Sequence, residues 1–204
     1  MVNTKCKVQK MSDYEDEKLV AKLIYDTDEY IYPSAFGCEQ KAIKTIMYLL
    51  KKEDTLFSKR NIYIAYKDNK IVGIALVINK ETKYNFYTNN LSLPNSFKDV
   101  YNNYFSKQKD LLVNSDVEIM NLSVLESEQG KGIGKAIMKK VLSDNKNKKI
   151  ILEVLQNNEK AICLYEKMGF TITKTKQGYS RSKKKPICYV MENKHVNSNK
   201  EVNK

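Results

Sequence analysis

A chain of 204 residues that is 42% hydrophobic and carries a net charge of +12 can bury a core of its own as one domain without staples. Cys6, Cys38, Cys163 and Cys188 are scattered with no Cys-x-x-Cys pair, and the single histidine, His195, sits in a polar tail. Neither a disulfide framework, nor a metal site, nor a histidine-based triad is therefore expected. Met1 to Lys10 is charged, and no apolar run approaches the roughly eighteen residues of a membrane span, so the expectation is a cytoplasmic protein without membrane contact.

In chain order, Ser12-Asp13-Tyr14-Glu15 reads as a capping box, followed by Leu19, Val20, Leu23 and Ile24 at helical spacing. The stretch Tyr25 to Gly37 breaks the periodicity with Pro33 and Gly37, after which Ala42, Ile43, Ile46, Met47 and Leu50 define a second helix. Ile62 to Tyr66 and Ile71 to Ile78, joined at Asp68-Asn69, predict a hairpin. Lys80 to Pro94 reads as a loop, and Ser96 opens a helical pattern through Val100, Tyr101, Tyr104 and Phe105. From Val117 the order is strand, glycine-rich turn, helix (Ala136 to Leu142), strand (Ile150 to Val154) and a helix opened by Asn158. Strands near Phe170 to Thr175 and Ile187 to Met191 follow, so the fold class is α/β with a mixed sheet. Residues 1–192 read as one domain and Asn193 to Lys204 as a disordered basic tail.

The positive charge is concentrated at the C-terminal end. Nine Lys or Arg between Lys174 and Lys204 stand against Glu192 and Glu201, a net of +7 that leaves +5 for residues 1–173. With only Tyr179 and Tyr189 interleaved, the Arg181 to Lys185 run is a poor stacking platform, and nucleic acid is disfavoured as a partner. Such charge also draws in polyanionic ligands.

The segment with chemical content is Gln129-Gly130-Lys131-Gly132-Ile133-Gly134-Lys135, between the Val117 to Leu125 strand pattern and a helix. Unpaired amides and the positive end of a helix dipole make such a turn an anion site, and glycine lets backbone approach the ligand. A nucleotide-triphosphate loop would need Gly at 129 and Ser or Thr at 136, where Gln129 and Ala136 stand. A dinucleotide fingerprint would need a third glycine at 135, where the chain has Lys135. The remaining pattern, Gln129-x-x-Gly132-x-Gly134, resembles the acyl-CoA pyrophosphate loop of the GCN5-related N-acetyltransferase (GNAT) superfamily. Downstream, Asn158-x-x-Ala161-x-x-Leu164-Tyr165-x-x-x-Gly169-Phe170 is similar to the family's second signature. The architecture is comparable over residues 5–192, and the specific motifs lie within 117–170.

The resemblance implies a mostly antiparallel central sheet flanked by helices, with a splayed strand pair that binds acetyl-CoA as co-substrate. It implies that Leu122, Ser123 and Val124 pair with the pantetheine arm. It further implies that the amides of Gln129, Gly130, Lys131, Gly132, Ile133, Gly134 and Lys135 hold the pyrophosphate, with Asn158 beside the cofactor. Tyr165 falls at the family's position for the proton donor to the thiolate, although its helical spacing from Ala161, Ile162 and Met168 also suits a core tyrosine. Glu118 falls where some members carry a catalytic base. Strand alternation puts it on one face with Met120, Leu122 and Val124, equally a place for a strand-edge charge, with a water chain as the alternative base.

For the acceptor, Asp26, Asp28, Tyr30 and Tyr32 lie between the first two helices, where relatives bind acceptors; carboxylates among tyrosines suit a cationic amine. A surface loop with its tyrosines packed inward is the plainer reading. The expected reaction is transfer of the acetyl group to a primary amine of a small molecule such as a polyamine, amino sugar or amino acid. A protein N-terminal or lysine acetyltransferase and a non-catalytic CoA-binding module are the alternatives. The apolar C-terminal strands leave room for a homodimer.

Overall fold

The computed structural model describes residues 6–53, 55–79, 93–103, 115–180 and 185–193. The expected loop from Lys80, the continuation of the helical pattern through Tyr104 and Phe105, and the Arg181 side of the basic run fall largely or wholly outside these residues, as does the tail beyond Asn193.

The first element, β1 (Lys7–Lys10), pairs antiparallel with β2 (Ile62–Lys67) at the sheet edge. Helix α1 (Glu17–Tyr25) is capped by Asp16, whose carboxylate accepts from the Leu19 amide at 3.0 Å. This corrects the capping box read at Ser12: there the Ser12 hydroxyl donates to the Glu15 side chain at 2.9 Å, and the helix begins later. The aperiodic stretch contains a short helix, α2 (Ile31–Phe36). Pro33 is tolerated in its first turn, where an amide has no helical acceptor. Gly37, at φ 77°, ends it, and its amide donates to the Pro33 carbonyl at 2.9 Å. Helix α3 (Glu39–Leu50) follows.

β2 and β3 (Lys70–Asn79) form the expected hairpin, with Asp68 and Asn69 both at positive φ, as a tight turn between right-twisted strands requires. Then come α4 (Asn95–Asn103), β4 (Val117–Val124), α5 (Ile133–Asp144), β5 (Ile150–Leu155), α6 (Glu159–Lys167), β6 (Thr171–Gln177) and β7 (Ile187–Asn193). Asn193 therefore ends β7 as a buried residue, its side-chain amide donating to the Met168 carbonyl at 2.8 Å, rather than opening a tail.

The seven strands lie in the order β1-β2-β3-β4-β5-β7-β6, and only the β4–β5 pair is parallel. One face carries a core in which Tyr32, Phe36, Phe57 and Phe97 pack among residues of α1 to α4. The other is covered by α5 and α6 through Ile137, Met138, Val141 and Tyr165. β4 thus lies centrally between two cores, its end leading directly into the glycine-rich turn.

Gly73 sets how closely β3, β4 and α5 approach. A Cβ there would stand 2.8 Å from the Ser123 carbonyl oxygen and 3.2 Å from Ile137 Cδ1. Backbone cannot yield as a flexible side chain can, so Gly73→Ala is expected to destabilise the fold by about 1–3 kcal/mol, read as a lower urea midpoint at unchanged m-value.

Candidate active site

Three register pairs hold β4 to β5: Val117 with Ile150, Glu118 with Ile151 and Ile119 with Leu152. Beyond Ile119 the pairing stops, while β4 stays bonded to β3 through Leu122, Ser123 and Val124. The strands fork there, leaving a cavity of about 140 Å³ bounded by Glu118 to Leu122 on β4 and by Glu153 to Leu155 on β5.

A β-bulge sits at the fork. Leu76 faces Asn121 but Val77 faces Ile119, so Met120 is an extra residue in β4. Ile119, Leu122 and Val124 pack with the α5–α6 core, whereas Met120 packs with the core of α1 to α4. The bulge corrects the simple alternation read from sequence: Leu122 and Val124 lie on the face opposite Met120. Glu118, between Val117 and Ile119 of the α5–α6 core, also points to the Met120 face. The cavity therefore passes through the sheet, with Tyr165 of α6 on one side and Glu118 on the other.

Glu118 is 2% exposed, and its Oε2 has no hydrogen-bond partner among the described residues. Burial, reinforced by the nearby Glu153 charge and opposed by Lys176, pushes its carboxyl well above the usual range. Tyr165 is 7% exposed, and burial pushes its phenol up to about 12, which keeps the proton on the oxygen at neutral pH. Asn158 caps α6, its Oδ1 accepting from the Ala161 amide at 3.2 Å, and lines the cavity from that position.

At the far end of β4, a short 3-10 turn (Glu126–Glu128) leads to Gln129, whose side-chain amide donates to the Val124 carbonyl at 3.2 Å and ties the loop to the strand. Gly132 precedes α5 in the left-handed region at φ 83°, a geometry that glycine adopts without steric cost. The Gly132 carbonyl accepts from Ala136 at 3.0 Å, so the amides of Ile133, Gly134 and Lys135 in the first turn have no intrahelical acceptor. Lys131 and Lys67 both reach Glu128, at 3.3 and 2.9 Å, and Lys67 foremost holds that carboxyl below its usual range.

The four acceptor candidates divide. Asp28 and Tyr32 line the cavity, whereas Asp26 and Tyr30 are not among its lining residues. Asp26 closes α1 and ion-pairs with Lys22 on the surface. The Asp28 carboxylate accepts from the Tyr30 and Ile31 amides at 2.7 and 2.6 Å; burial raises its pKa, and those two bonds oppose the rise. Tyr32 is buried, with its hydroxyl donating to Asn121 Oδ1 at 3.1 Å, and Asn121 Nδ2 in turn reaches the Thr27 hydroxyl.

Sequence reasoning did not single out Glu153, Asn121, Thr27 or Cys188, all of which line the cavity, or Lys176, which ion-pairs with Glu153. A signal existed for Glu153, the one charged residue within the apolar run Ile150 to Leu155. None existed for Asn121, because its direction depends on the bulge. Cys188 is buried, and its thiol is raised to about 11, chiefly by desolvation. Among the described residues no group of three or more His, Cys, Asp or Glu is arranged to hold a metal ion, and no helix is long and apolar enough to cross a membrane.

A family model described as an acetyltransferase (GNAT) domain matches residues 58–172. Among solved structures, an N-acetyltransferase from Staphylococcus aureus Mu50 is similar at 20% identity and a TM-score of 0.69, over 91% of this chain and 99% of that one. The ribosomal-protein-S18-alanine N-acetyltransferase from Escherichia coli is similar at 14% identity and 0.54, over 98% and 100%. A chain of the NatC complex bound to Gag peptide and CoA is similar at 17% identity and 0.56, over 93% and 98%. A search of curated protein sequences finds no match.

Because the folded state binds the Glu118 proton more tightly than the unfolded chain does, this group favours folding most below pH 4.5, and the contribution is lost as pH rises through its elevated folded value. Glu118→Gln should match the parent in thermal midpoint near pH 4 and exceed it at neutral pH. Equal midpoints at both would show that the carboxyl titrates normally.

Proposed function

The chain belongs to the GNAT acetyltransferases, and from that premise we propose that it moves the acetyl group of acetyl-CoA to a primary amine of a small cationic molecule. The observation that carries this reading is the pairing, across one fork, of a buried protonated phenol with a buried carboxylate whose Oε2 has no partner among the described residues.

The residues present fit the co-substrate. The amides at the α5 N-terminus that lack intrahelical acceptors, with Lys131 and Lys135 beside them, suit a pyrophosphate. Among the described residues no strand pairs with the β5-facing edge of β4 beyond Ile119, so Leu122 to Val124 could bond the pantetheine arm on that side. When bound, acetyl-CoA supplies an acyl thioester. Tyr165 is the proton source on the α6 side, where a departing thiolate would need one. Glu118 is the proton sink on the other side, where an attacking amine must lose its proton. The low-dielectric setting that keeps Tyr165 protonated also raises the proton affinity of Glu118 above that of an exposed carboxylate.

The cavity wall favours a cationic acceptor. Asp28, Glu118 and Glu153 line it; among its described lining residues there is no Lys or Arg, and the ammonium of Lys176 reaches Glu153 at the rim. An amino acid would bring its own carboxylate against these three, so amines lacking a carboxylate fit better.

Calorimetry with acetyl-CoA, run beside a free-thiol release assay on a panel of polyamines, amino sugars, amino acids and short peptides, tests the reading. Binding with turnover on carboxylate-free amines is expected; turnover confined to peptides would replace it with the protein-acetyltransferase alternative. Tyr165→Phe and Glu118→Gln should each lower kcat about 100-fold while acetyl-CoA affinity holds. Asp28→Asn should raise the acceptor KM, and Asp26→Asn, on the surface with Lys22, should leave it unchanged.

A further inference from the structure

The Lys176–Glu153 ion pair has an unusual path. Register aligns Leu155, Cys188 and Lys176 in one row across β5, β7 and β6, and Glu153 with Val190 and Lys174 in the row two residues on, which faces the same side. Lys176 nevertheless leaves its own row and crosses the whole of β7, a backbone separation of roughly 10 Å, to reach Glu153. Its side chain is 25% exposed and that of Glu153 12%, so the contact lies at the half-buried rim of the cavity. An alkylammonium on a flexible four-carbon stem is thus already bound at this wall.

A second carboxylate stands nearby. Glu118 pairs with Ile151, and Glu153 lies two residues further along β5 on the same face, roughly 7 Å on. The buried Oε2 of Glu118, which has no partner among the described residues, points to a ligand rather than to a satisfied structural contact.

We infer that Lys176 occupies, in the free protein, the place at Glu153 taken by a second ammonium group of the acceptor, so that the acceptor is a diamine or longer polyamine whose reacting amine lies at Glu118. The inference rests on the acetyl-transfer reading and narrows its substrate class. Lys176 is a specificity-determining residue here: it holds Glu153 in an ion pair until a competing alkylammonium displaces it. Asp28, which also lines the cavity, has its Oδ1 engaged with the Tyr30 and Ile31 amides and so is less available to the second charge.

The test compares diaminobutane with butylamine on the parent protein, Lys176→Met and Glu153→Gln, by thiol release and, independently of turnover, by calorimetric binding in the presence of CoA. Removing the internal competitor should tighten diaminobutane binding and lower its KM by about fivefold, with butylamine changed less than about twofold. Glu153→Gln should abolish the preference for the diamine. Unchanged or weaker diamine binding in Lys176→Met, or a diamine preference that survives Glu153→Gln, overturns the inference. Tighter diamine binding in Lys176→Met without thiol release from any form would retain the inference and count against acetyl transfer to these amines.

Discussion

The structure turns on a pairing that ends early. β4 and β5 are joined for three residue pairs and then part, while β4 stays paired with β3 as far as Val124 apart from the bulge at Met120. A parallel pair in mid-sheet would ordinarily be sealed by cores on both faces, and its ladder would satisfy every backbone group along it. Ending the ladder at Ile119 opens a passage through the sheet, and the bulge at Met120 places residues of β4 on both sides of it. The same departure from regularity supplies the cavity, exposes a strand edge and sends Asn121 toward Thr27 and Tyr32.

Holding such an opening requires rigidity elsewhere. β3 contributes it through the close approach at Gly73, which seats α5 against the sheet and so fixes where its N-terminal amides point. Asn158 does the same for α6, capping the helix and lining the opening at once. On the other face, Asp28 accepts from the Tyr30 and Ile31 amides at the start of α2 while forming part of the cavity wall, so the loop before α2 is tied both to its own helix and, through Tyr32 and Asn121, to β4.

The charge distribution is asymmetric in a way the net charge of +12 conceals. The glycine-rich turn presents amides and lysines, whereas the cavity presents Asp28, Glu118 and Glu153. The proposed polyanion and cation sites thus lie at different points along one strand, β4, and Glu118 and Tyr165, both shifted by burial, belong to the cavity.

Much of the fold was legible from local pattern. The hairpin at Asp68-Asn69, the Asn158 cap, the β4–turn–α5 sequence and the mixed sheet all follow from periodicity, turn chemistry and glycine placement, each acting over a few residues. β1 was not legible, because an exposed four-residue edge strand of Lys7 to Lys10 carries no apolar run, and its pairing partner lies some fifty residues away in the chain. The cap at Asp16 escaped because Ser12 and Glu15 offered the same signature one turn earlier. By itself the sequence determined a glycine-rich turn leading into a helix, and it singled out Tyr165 and Glu118 as candidates. Only tertiary structure decided that they meet through a fork, that Asp26 stays on the surface while Asp28 lines the cavity, and that Glu153 and Lys176 join the site. The reason is physical: register, a one-residue bulge and the end of a ladder are fixed by strands distant in sequence, and they choose which face each side chain occupies.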